Sequence, residues 1–204
     1  MIQIYYLMLT LKYKCIFIMF VHLFVPSVYY LMNENIKYNN TTNVYVLYGI
    51  KTWLCSTCTT IVAHHFINSI IISNYNVICE FVKVIIFLIV FDIWFYWIHR
   101  MFHTIPYLYI NFHKIHHHAI DVSPFDALVS SPFEGLISSH LPGILLMNLL
   151  NVHIITLYII MLFAHIIVFL NHSTYDARHL IHHTKFNYNY GASIYMDILM
   201  GTNY

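Results

Sequence analysis

Residues 92–118 read DIWFYWIHRMFHTIPYLYINFHKIHHH, and two histidine clusters fall inside them: His99 with His103, then His113 with His116 and His117. A third cluster, His179 with His182 and His183, lies far downstream. On a helix, residues three and four apart share a face, their Cβ atoms about 5–6 Å from one another. The spacings HxxxH, HxxHH and HxxHH are therefore read as three sets of imidazoles, each aimed at a common point. A tetrahedral zinc takes only four ligands, so these eight histidines predict two metal ions, each with room for oxygen or water.

Composition sets the frame around the clusters. Hydrophobic residues make up 60% of the chain and charged residues 8%, with mean hydropathy +0.67. An ordinary soluble domain carries roughly 25% charged residues, so the chain is expected to be an all-α integral membrane protein. The expected architecture is four to five transmembrane helices with a cytosolic, histidine-rich metal-binding cap. A net charge of +1 and nine scattered Lys and Arg give no nucleic-acid footprint. Cys55 and Cys58 form a CxxC without a surrounding βαβ pattern, so they and Cys15 and Cys79 are read as core cysteines.

Outward from the clusters, residues 1–76 read as membrane anchor helices and a loop, and residues 77–204 as the catalytic domain. The stretch from Cys15 to Met32 is long enough for a span of ~20 residues and is taken as a retained anchor. Asn33 to Lys51 is a polar loop whose NNTT offers Asn39 and Asn40 as glycosylation acceptors only if it is luminal. Trp53 to Ser73 is a second apolar segment, interrupted by His64 and His65, which are assigned a structural role because neighbours in sequence do not face one target. A third segment, Val77 to Ile98, runs into the first cluster and places Asp92, Tyr96, His99 and His103 on one stripe. Asp92 is read as accepting a hydrogen bond from the free nitrogen of a ligating histidine, with Lys83 as its alternative partner. Tyr96 shares that supporting role.

Pro124, Pro132 and Gly135 break the loop that follows His118. Leu136 to Leu170 is then long enough for two helices, read as a hairpin returning to the side it left, which keeps all three clusters on one membrane face. Arg100, Lys114, Arg178 and Lys185 lie on that face and make it cytosolic by the positive-inside rule. His22, His140, His153 and His165 are isolated in apolar runs and are given core or interface roles. His118 points off the face of its cluster, and His172 is a candidate additional ligand.

These motifs resemble the fatty acid hydroxylase and sterol desaturase superfamily. The pattern His99/His103, His113/His116/His117 and His179/His182/His183 is similar to its histidine boxes, and DIWFYWIHRMFH and HHTKFNYNYG followed by MDILMGT resemble its opening and closing segments. Within it, Phe186-Asn187-Tyr188-Asn189-Tyr190-Gly191 is most similar to the sterol C-5 desaturases, or lathosterol oxidases. Ser131 and Met196 stand where many of those enzymes carry histidine and tryptophan. The resemblance implies an endoplasmic reticulum membrane enzyme with two histidine-bound iron ions, zinc being a substitute in isolated protein. It further implies a sterol substrate, O2, and electrons from NAD(P)H through cytochrome b5 and its reductase. Tyr188, Asn189 and Tyr190 are read as lining the sterol pocket or supporting the ligands. Two other readings stand beside this one: a fatty acyl or sphingolipid hydroxylase, and a non-catalytic metal-binding membrane homologue.

Overall fold

The computed structural model describes residues 48–55, 58–59, 75–118, 126–127, 129–172 and 177–204. The expected 15–32 anchor, nearly all of the 33–51 loop and most of the Trp53–Ser73 segment lie outside the described residues, and with them His22, His64, His65 and the two asparagine acceptors. All regular elements among the described residues are helical.

The longest is α1, Val77–Thr104. Asn76 starts it by accepting a hydrogen bond from the Cys79 amide (3.0 Å), and Ile105 ends it in an extended conformation. That stop follows from Pro106, whose ring disfavours a helical residue before it. Pro106 then begins a short turn, Pro106–Leu108, that runs into a π-helical turn, Tyr109–His113, and a 3-10 turn, His116–His118. The chain resumes with Pro132–Gly135 and a π-helical turn, Leu136–His140, which lead into α2, Leu141–Leu149. After a tight turn come α3, Ile154–Asn171, then α4, Ala177–Thr184, and α5, Ile194–Met200.

A tight turn joins α2 to α3 where the hairpin was expected, and an ion pair between partly exposed Lys83 and buried Glu80 fixes that turn. Asn151 takes a left-handed conformation there (φ 48°), and its carbonyl accepts from Lys83 Nζ at 2.7 Å. The same ammonium bonds Glu80 Oε1 at 2.7 Å, while Glu80 Oε2 accepts the His153 amide at 2.9 Å. Lys83 thus serves the hairpin turn, and is not the partner of Asp92. His153 caps α3 through Nδ1, and His140 and His165 each donate Nδ1–H to a carbonyl of the preceding turn. Phe87, Val152 and Ile160 form the core where α1 meets this hairpin.

Four to five transmembrane helices were expected, but among the described residues no helix is both long and apolar enough to cross a membrane. Charge limits α1, which carries Glu80, Lys83, Asp92 and Arg100 along its 28 residues. Helix α3 has 18 residues, at the short end of the roughly 17–25 that a span takes. Both helices nonetheless present large apolar side chains outward, among them Phe81, Ile89 and Trp97 on α1 and Ile159, Phe163 and Ile167 on α3.

Asp92 proves to be a fastener between α1 and α5. Its two oxygens accept from Ser193 N (2.8 Å) and Ser193 Oγ (2.6 Å), and not from a ligating histidine. The sequence stripe placed it on the histidine face, but Ser193, 101 residues away, reaches it first. Replacing Asp92 by Ala removes the acceptor of both the Ser193 amide and its hydroxyl, which are part-buried, at about 0.5–1.5 kcal/mol each. Asp92→Ala should therefore lower the thermal midpoint clearly, and an unchanged midpoint would rule out this fastening role.

Candidate metal centre

Nine histidines converge at the far end of α1 in two groups. His99, His103, His113, His117 and His182 form the first, and His116, His172, His179 and His183 the second; within each group the ligand atoms all lie within 4.8 Å of one another. All eight histidines expected from the three motifs are brought together, and His172 joins them as a ninth. The structure corrects one expectation: a cluster does not aim at a single point. In both HxxHH motifs the i, i+4 pair stays together, His113 with His117 and His179 with His183. The i+3 residue crosses over, His116 to the second group and His182 to the first. At about 100° per residue, positions i+3 and i+4 fall on opposite sides of residue i, so one motif can serve two adjacent points. The π and 3-10 turns around His113–His118 replace the uniform helix that the spacing suggested.

Nitrogen separations describe the first group. His103 Nε2 stands 2.8 Å from His113 Nε2, 3.1 Å from His117 Nε2 and 3.0 Å from His182 Nε2, and His182 Nε2 is 3.0 Å from His99 Nε2. Five imidazole nitrogens so close together are a donor set that would hold a transition-metal ion such as iron. In the second group the His179 nitrogen lies 3.3 Å from that of His116 and 3.1 Å from that of His183.

The outer nitrogens decide whether a cation fits. His99 Nδ1 donates to the Tyr190 carbonyl (2.8 Å), His182 Nδ1 to the Tyr188 carbonyl (2.6 Å), His116 Nδ1 to the Val129 carbonyl (3.1 Å) and His172 Nδ1 to the Val168 carbonyl (2.8 Å). A carbonyl only accepts, so each of these rings holds a proton on Nδ1, and His99, His172 and His182, whose basicity burial depresses, turn a bare lone pair inward. The lone pairs of His99 and His182 then face each other at 3.0 Å, an arrangement that a proton does not relieve cheaply. Burial pushes His113, His179 and His182 well below the ordinary imidazole value of 6.5, and lowers His172 to about 3, with the neighbouring histidines adding repulsion. A cation bound to the nitrogens resolves the conflict, and His172 Nε2, buried without a hydrogen-bond partner, fits the same explanation.

The closing segment supplies this support. Tyr188 and Tyr190 accept through their carbonyls, the Tyr190 ring also packs against those of His103 and His182, and none of Tyr188, Asn189 and Tyr190 lines the cavity bordered by His117 and His183. Asn189 adopts a left-handed conformation (φ 57°), and its side chain donates to Arg178 O and accepts from the Tyr204 amide. Asp197 accepts from the Tyr190 and Gly191 amides, each at 2.8 Å. A Cβ on Gly191 would come 2.3 Å from Ser193 O, so glycine alone fits that turn. Tyr96 is fully buried one layer out: its hydroxyl accepts from Arg100 and bonds Thr202, and its ring meets that of Tyr190.

Sequence reasoning missed Glu134. It is buried, and its Oε1 accepts from His113 Nδ1 at 2.7 Å. Burial raises its carboxyl to about 7. The signal was present in Ser131-Pro132-Phe133-Glu134, a capping-box spacing, although it announces a helix start and says nothing of a metal.

The sequence model of the fatty acid hydroxylase family matches residues 84–202, which include all nine histidines and Glu134. The chain belongs to the fatty acid hydroxylase family. Members are oxidoreductases of hydroxylase and desaturase type and typically use iron, in keeping with an all-histidine centre. No solved structure matches the chain significantly.

As a fatty acid hydroxylase family member with two histidine groups, the purified chain should bind two ions, and His182→Ala or His183→Ala should each reduce that number in elemental analysis. Retention of both ions by either variant would remove that residue from the ligand set. The depressed imidazoles also set the pH response. The unfolded chain takes up protons below about pH 6.5 that the folded chain refuses, so apo-protein stability should fall as pH drops through 6.5. Bound metal should resist acid below that point, because protons reach the folded ligands poorly. Metal loss centred at or above pH 6.5 would contradict this.

Proposed function

We propose that the chain is a membrane-bound, two-iron lipid oxidoreductase whose preferred reaction is introduction of the C-5 double bond into a sterol. The observation that carries this reading is a cavity of about 420 Å³ beside the centre, lined by His117 of the first group and His183 of the second together with Tyr109, Phe186, Lys114, His118 and Thr184. A substrate there would meet a ligand of each ion at once. The volume lies within the range of small-molecule sites.

Iron held by the two histidine groups would supply, with O2, an oxidant strong enough to attack an unactivated C–H bond, which no side-chain acid or base can do. The protein contributes the surroundings. Tyr109 and Phe186, their ring centroids 6.2 Å apart, offer apolar walls to a hydrocarbon skeleton. The outward apolar surfaces of α1 and α3 support a place at a membrane, which we assign to the cytosolic face of the endoplasmic reticulum. Cytochrome b5 and its reductase are the proposed electron source. The support for a sterol is the resemblance of residues 186–191 to the sterol C-5 desaturases.

A second reading, hydroxylation of a fatty acyl or sphingolipid chain, is favoured by the description of the family itself. It uses the same cavity and oxidant but leaves oxygen on the carbon. Expression in a host lacking sterol C-5 desaturase, with His116→Ala as control, separates the two. A new C-5 alkene dependent on His116 supports desaturation, and hydroxylated acyl chains without it support the second reading. Neither product from iron-loaded protein supplied with reductant would overturn both.

A further inference from the structure

Glu134 occupies an unusual place for the third residue of a helix that begins Ser-Pro. In a capping box that glutamate reaches back to the amide of the cap residue. Here only half of the box forms: Ser131 Oγ accepts from the Glu134 amide at 3.1 Å, while the Glu134 side chain turns to His113. Its surroundings hold it there. Phe133, next in sequence, packs on Phe112 and Phe102 at centroid distances of 4.5 and 6.4 Å, and both lie beside His113. Thr52 Oγ1 bonds Ser130 O, and Ser138 Oγ donates to Glu134 O, fixing the two ends of the turn. The second carboxylate oxygen, Oε2, is buried without a hydrogen-bond partner, which costs stability that a merely structural glutamate would avoid.

The ligands themselves frame the problem that Glu134 meets. Neutral imidazoles bring no negative charge to a buried centre, whatever their number. His99 and His182 lean on uncharged carbonyls, whereas His113 leans on a carboxylate. An anionic partner on the outer nitrogen strengthens a metal-bound imidazole as a donor and fixes its tautomer.

We propose that Glu134 is a positioning residue of the first ion: it holds His113 in the ligating tautomer and supplies negative charge that favours a bound, oxidised cation. This rests on reading the histidines as a two-ion centre. Glu134→Gln tests it, since glutamine keeps the shape and an accepting oxygen but removes the charge. In the 204-residue chain, loaded with cobalt(II) alone and titrated with chelator, the variant should lose roughly 10–100-fold in affinity for one ion. Its visible cobalt bands should shift, and the iron-loaded variant should show a higher reduction potential. Unchanged affinity, bands and potential with two ions bound would overturn the role of Glu134 and leave the proposed function standing; absence of any bound metal would sink the two-ion centre itself. Should Glu134→Gln fail to fold, zinc-loaded wild type decides: a low-field imidazole N–H resonance assigned to His113 Nδ1 is expected, and its absence overturns the proposal.

Discussion

The structure depends on a set of lone pairs that have nowhere else to go. Once His99 and His182 give their Nδ1 protons to main-chain carbonyls, their Nε2 atoms face inward bare. Crowded at 3.0 Å in a buried space, the two repel one another, and depressed basicity makes protonation a poor remedy. A cation is the physical answer. The centre is thus defined as much by what its ligands donate outward as by what they present inward.

Two histidines interlock the halves of this centre. His116 leaves its own i, i+4 pair to join His179 and His183, and His182 makes the reverse crossing to join His99, His103, His113 and His117. Neither group can form from one segment of chain, and displacement of α4 disturbs both. The fasteners on that region are correspondingly dense: Asp197 gathers the Tyr190 and Gly191 amides, Asn189 ties Arg178 to the chain end, and Asp92 holds Ser193. Buried carboxylates are expensive unless their oxygens are satisfied, and those of Asp197 and Asp92 are satisfied by the segment whose carbonyls orient the histidines. Packing and ligand geometry are therefore one problem here, solved by the same residues.

Away from the centre, α1 and α3 follow a different logic. Large apolar side chains face outward, while Glu80 and Lys83 are turned to the hairpin turn and Asp92 to α5. Charge is spent at contacts between elements, and the outside is left hydrophobic. That inversion of an ordinary surface is what the low charged fraction of the chain had implied.

Much of the chemistry was legible in the chain itself: which histidines gather into groups that could hold metal, and that residues 136–170 supply two helices. Local spacing carries that information because i, i+3 and i+4 are neighbours on any helical turn. Folding assigned each histidine to one of the two groups, since the crossing of His116 and His182 depends on where α4 docks against the 109–118 turns. It also decided the partners of Asp92 and the place of Glu134. Those pairings join residues 101 and 21 positions apart, and no periodicity relates such residues until the chain has folded.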